Sequence, residues 1–136
     1  MQAEVRILVV DEGSELIEVA REASGMYSWE LVFASEREDA MRKALMEEPD
    51  LIILGCLEPQ GETFRLNREL KRNYDTKDIP IVIVYGNPEE QIAKGYQAYD
   101  GMRMDAEDYL CQPVSPQELA RSVEEILINI GVLDVV

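Results

Sequence analysis

The sequence predicts an α/β protein in which a parallel five-stranded sheet is covered by helices on both faces. Two observations predict it. Short apolar runs alternate with amphipathic runs five times along the 136 residues, and strict strand–helix alternation calls for crossover connections that keep successive strands parallel. Several of the amphipathic runs also open with helix N-terminal signatures, which separates them from the strand-like runs.

The first strand is expected over about Arg6 to Val10, ending in the acids Asp11 and Glu12. A helix follows from Ser14, with Leu16, Val19, Ala20 and Ala23 on one face and Gly25 as its C-cap. The second strand runs from about Trp29 to Ala34. Ser35 and Glu38 then read as a capping box for a second helix, which turns Ala40, Ala44 and Leu45 inward and stops before Pro49. Leu51 to Leu54 form the third strand, closed by Gly55. The third helix covers about Thr63 to Arg72 and buries Phe64, Leu66 and Leu70. Pro80 feeds a fourth strand, Ile81 to Tyr85. Asn87-Pro88 opens a fourth helix, cap then proline, which ends near Gly101. The fifth strand is about Asp108 to Cys111. Ser115-Pro116-Gln117-Glu118 caps the fifth helix, with Leu119, Val123, Ile126, Leu127 and Ile130 as its inner stripe.

Composition bounds the function. The length fits one domain over 1–136 that buries its own core. No apolar run reaches the ~18 residues of a membrane span. The first residues lack a basic stretch followed by an apolar one, so no signal peptide is expected. Two cysteines make no disulfide framework, and a cytoplasmic location is the expectation. The formal net charge of −15 argues against nucleic acid and anionic membranes as partners and favours basic protein surfaces. The absence of histidine removes histidine triads, histidine-ligated metals and phosphohistidine together. No enzyme activity is expected.

Three segments stand in a telling order: Ile7-Leu8-Val9-Val10-Asp11-Glu12, then Pro49-Asp50-Leu51-Ile52-Ile53-Leu54-Gly55, then Asp108-Tyr109-Leu110-Cys111-Gln112-Pro113. Across nearly the whole chain, about Val5 to Ile130, this pattern resembles the receiver domain of bacterial response regulators in two-component (phosphorelay) signalling. The resemblance implies a flavodoxin-like, three-layer (βα)5 fold with strand order 2-1-3-4-5. The site would then lie at the carboxyl ends of the strands, where the order switches between strands 1 and 3.

Receivers accept a phosphoryl group on an aspartate, hold a divalent cation with two upstream acids, and use a lysine before a proline and a Thr or Ser after strand 4. By that resemblance Asp11 and Glu12 match the acidic pair. Gly55 stands at the acceptor position, Tyr85 at the Thr/Ser position and Gln112 at the lysine position. Tyr109 matches the aromatic that changes rotamer on activation. Glycine cannot form an acyl phosphate, so the chain reads as a degenerate pseudo-receiver, a phosphorylation-independent protein-interaction module. Its working surface would be the fourth helix, fifth strand and fifth helix, which receivers also use for homodimers. No cofactor is expected beyond weak magnesium binding at Asp11 and Glu12. Two alternatives stay open: an unorthodox phosphoacceptor using a displaced acid, Glu58, or a small-ligand sensor in the space vacated at Gly55.

Structural readings sit beside these. Asp11 and Glu12 also suit a solvated strand end, and Gly55 a close backbone approach. Tyr85 is expected to fill the void left by Gly55, and Gln112 to turn back over it from a cis Gln112–Pro113 bond. Cys56 and Cys111 read as small buried hydrophobes. Met41, Met46, Met102 and Met104 read as packing residues, with exposure left open for Met102 and Met104 in a long loop over Tyr99 to Asp105.

Overall fold

The computed structural model describes residues 4–59, 61–86 and 104–133. The strands are β1 (Val5–Val10), β2 (Trp29–Ala34), β3 (Leu51–Leu54), β4 (Ile81–Tyr85) and β5 (Asp108–Cys111). The described helices are α1 (Glu15–Met26), α2 (Arg37–Glu47), α3 (Glu62–Arg72) and α4 (Pro116–Asn129). The helix expected from Asn87, with Met102 and most of the long loop, falls outside the described residues. The five strands form one parallel sheet in the order β2-β1-β3-β4-β5, as the resemblance implies.

Alternation along each strand divides the core in two. Ile7, Val9, Leu51, Ile53, Val82 and Val84 face one side, where Leu16, Ala20 and Ala23 of α1 and Leu119, Val123 and Leu127 of α4 pack on them. Leu8, Val10, Ile52, Leu54, Ile81 and Ile83 face the other, against Ala40 and Ala44 of α2 and Leu66 and Leu70 of α3. Nearly all these side chains are fully buried, as in a sheet covered on both faces.

Several local expectations are corrected. Ser35 does not cap α2: the helix starts at Arg37, and its cap position, Glu36, makes no side-chain cap bond. Gly25 lies inside α1, which continues to Met26. Leu45 is exposed rather than inward; only Ala40 and Ala44 of that helix are fully buried. Met46, expected to pack, is exposed, whereas Met104 does pack among the α3-side core residues. By contrast, Ser115 caps α4 as its sequence requires, its hydroxyl accepting from Glu118 N at 3.1 Å.

Candidate functional site

Register builds the site. β1 and β3 pair with Val10 opposite Leu54, so the next residues of each chain, Asp11 and Gly55, emerge side by side at the carboxyl end of the sheet. Gly55 N donates to Val10 O at 2.6 Å and Glu12 N to Cys56 O at 3.0 Å, carrying the ladder past the last strand residues. Asp11 continues the series Ile7, Val9 and points to the α1 side. It is 4% exposed.

The space beside Gly55 is occupied. A Cβ on Gly55 would stand 2.7 Å from Asp11 Oδ1, 2.9 Å from Asp11 Cγ and 2.8 Å from Leu16 Cδ2. Asp11 has turned inward over the glycine, and its Oδ1 accepts from Cys56 N at 2.9 Å. Glu12 bonds to the same loop one step further on, its Oε2 accepting from Glu58 N at 2.6 Å. Thr63, in the first turn of α3, completes the enclosure. Its hydroxyl donates to Gly55 O at 3.1 Å and accepts from Leu57 N at 3.0 Å. The loop then passes a cis Glu58–Pro59 bond and reaches α3 through Gly61, whose φ of 97° favours glycine.

Burial pushes the Asp11 carboxyl above its ordinary value of 3.8; its bonds from the Cys56, Glu12 and Gly13 backbone act the other way, and repulsion from Glu12 adds a little. Mutual repulsion of the acidic pair is therefore a minor cause beside burial.

Tyr85 and Tyr109 do not converge on Gly55. Tyr85 follows Ile81 and Ile83 onto the α3 side of the sheet, opposite to the side on which a residue-55 side chain would project. It stacks on Tyr109 instead, with ring centroids 6.3 Å apart and planes at 11°. Burial, then the neighbouring Tyr109 and Cys111, raises the Tyr85 hydroxyl pKa. The expectation that Tyr85 fills the Gly55 void is thus wrong: Asp11 and Leu16 fill it. Gln112 precedes a cis proline, as expected, but its residue lines a small cleft with Glu15, Leu16, Val19, Pro113 and Val114 against α1. Cys111 is exposed and Cys56 half-buried, so neither is the fully buried hydrophobe expected.

Sequence reasoning missed Leu16 and Thr63 as wall and anchor of this site. Thr63 had a signal, a hydroxyl residue in the first turn of a helix directly after the loop.

The site offers a divalent cation fewer protein oxygens than receiver chemistry uses. A hard divalent cation seeks about six oxygen ligands. Here Asp11 Oδ1 and Glu12 Oε2 each hold a backbone N–H, and position 55 supplies no carboxylate. Among the described residues no three or more acids or cysteines gather as a metal site.

No protein-family model matches the chain. It is 31% identical over 125 residues to the phosphate regulon transcriptional regulatory protein PhoB of Pseudomonas aeruginosa, covering 92% of this chain and 52% of that protein. It is 28% identical to the alkaline phosphatase synthesis transcriptional regulatory protein PhoP of Bacillus subtilis, covering 90% of this chain and 48% of that protein. Among solved structures, one described as a response regulator from Chloroflexus aurantiacus superposes with a TM-score of 0.75 at 26% identity, over 92% of this chain and 98% of that one. The chemotaxis response regulator CheY4 of Vibrio cholerae shares the fold, with a TM-score of 0.73 at 19% identity over 92% and 100%.

The chain spans about half the length of the curated relatives it matches. Those relatives are transcriptional regulatory proteins, which overturns the partner expectation drawn from charge. A net charge of −15 describes this domain's own surface and does not exclude nucleic acid from the work of a protein of this kind. No described helix is long and apolar enough to cross a membrane.

Two outcomes follow from the closed site. Gly55→Ala places a methyl within 3 Å of Asp11 and Leu16 and destabilises by about 1–3 kcal/mol, measured by urea denaturation. Asp11→Asn separates with pH. The raised pKa means that Asp11 favours folding fully below 3.8 and that this contribution is lost as pH rises through its folded pKa. The variant is therefore more stable than the parent at pH 7, and the advantage fades below the ordinary aspartate range, as thermal melts across pH will register.

Proposed function

Because the chain is a receiver domain of the response-regulator (CheY-like) type, we propose that it serves two-component signalling without accepting a phosphoryl group, as a phosphorylation-independent interaction module. One observation carries the reading: the Asp11 carboxylate stands where a residue-55 side chain would have to begin. The acceptor is missing and the room for it is taken.

The remaining pocket positions support the same reading. Gln112 brings no positive charge to offset an oxyanion. Tyr85 engages Tyr109 on the opposite side of the sheet. Asp11 and Glu12, which would hold the cation, instead hold backbone amides of the loop. The ligand-sensor alternative loses its warrant with the space beside Gly55. The displaced-acid alternative has no support from a gathered cation site among the described residues.

The test is intact-mass measurement after incubation with acetyl phosphate and magnesium. The parent gains no mass, and Gly55→Asp alone does not gain it at the rate of working receivers, since the new carboxylate meets Asp11 and Glu12 without a lysine. A stoichiometric gain mapped to Glu58 in the parent would overturn the proposal and restore the displaced acid.

A further inference from the structure

The residues leading into β5 are bonded almost one by one. Asn67, in the middle of α3 and 2% exposed, meets Asp105 as one peptide group meets another. Its Nδ2 donates to Asp105 O at 2.9 Å and its Oδ1 accepts from Asp105 N at 3.0 Å. Glu107 N donates to Ile81 O at 2.8 Å, while its carboxylate accepts from Ile81 N and faces Lys71 Nζ at 3.5 Å. Between these two anchors the strap meets Tyr109. The tyrosine hydroxyl donates to Met104 O and accepts from Ala106 N at 3.2 Å. The ring lies parallel to Tyr85, and Met104 itself is buried.

We propose that the strap of Met104 to Glu107, latched to α3 by Asn67, locks Tyr109 in one rotamer. The proposal rests on the receiver reading of Tyr109 as the switch aromatic, but not on the loss of phosphoryl transfer. A receiver whose aromatic responds to its pocket must let that ring move. Among the described residues, the ring leaves by releasing two backbone groups and its stacking partner. Each hydrogen bond lost shifts such an equilibrium by about two- to tenfold, and Tyr109 is exposed, so the two together hold an alternative rotamer at about one part in four to one in a hundred. Asn67 is the positioning residue, because it fixes the peptide of Asp105 between Met104 and Ala106, the two residues that Tyr109 grips. Its side chain amide satisfies the N–H and the C=O of Asp105 at once, a task an apolar residue in that helix stripe cannot perform.

The experiment is NMR on the full chain, reading the Tyr109 χ1 couplings and the exchange rate of the Ala106 amide. The parent shows one rotamer. In Asn67→Ala the couplings average and Ala106 exchanges about tenfold faster. In Tyr109→Phe, which keeps the ring stack, Ala106 exchanges faster while Asp105 stays protected by Asn67. Averaged couplings in the parent would overturn the lock, as would a single rotamer in a well-dispersed Asn67→Ala spectrum. Should Asn67→Ala fail to fold, unchanged Ala106 exchange in Tyr109→Phe overturns it instead. A mass gain from acetyl phosphate with Tyr109 still fixed sinks the proposed function alone; a mobile Tyr109 without mass gain sinks the lock alone.

Discussion

The register of β1 on β3 is the constraint on which the rest of the site depends. Pairing Val10 with Leu54 sets Asp11 beside Gly55 whatever those residues are. With a side chain at 55, Asp11 would have to point elsewhere. With glycine there, the carboxylate turns inward, packs with Leu16 over the backbone and takes the Cys56 amide. The adjoining loop is then drawn into the same arrangement by Glu12 and Thr63. Burial outweighs those backbone bonds, since the Asp11 pKa is raised rather than lowered. The carboxylate is thus held by packing and geometry and not by a compensating charge, as an acid beside a lysine or a metal would be.

The fold was legible because its signals are redundant. Each strand carries its own apolar run, α4 carries both its serine cap and its N1 proline, and the order of segments selects the topology. The loss of chemistry was legible for a different reason: glycine at 55 and glutamine at 112 lack the needed groups in any conformation. Side-chain direction was not legible. Tyr85 was expected over Gly55 because both lie at strand ends. Yet Gly55 is one residue past Leu54, and Tyr85 two past Leu54's partner Ile83. That one-residue offset sends the two to opposite faces of the sheet. Ser35 failed as a cap because a capping pattern states only that a helix can begin there; the chain enters α2 two residues later. Asn67 left a trace that was not read, a polar residue adjoining Leu66 in the buried stripe of α3.

The split of functions across the sheet follows from the same alternation. Asp11 belongs to the α1 side, the tyrosines to the α3 side, and in a working receiver the acceptor chemistry must be felt across that divide. Here α3 spans it. Thr63 grips the loop after β3, and Asn67, one helical turn on, grips the strap before β5. A helix bonded in its first turn and again at its middle links the two regions through a rigid element, with no small residue between the two bonds to absorb a shift. The pocket loop and the outer tyrosines are therefore set together when the domain folds.

That has a consequence for how such a domain carries information. A receiver that switches presents two surfaces and reports which phosphorylation state it is in. A domain with its acceptor space filled and its aromatic gripped by backbone presents one surface, and a ligand or partner can shift only an equilibrium that exists. On the reading proposed here, its signal lies in whether the domain is present and what it is joined to, rather than in its own conformation.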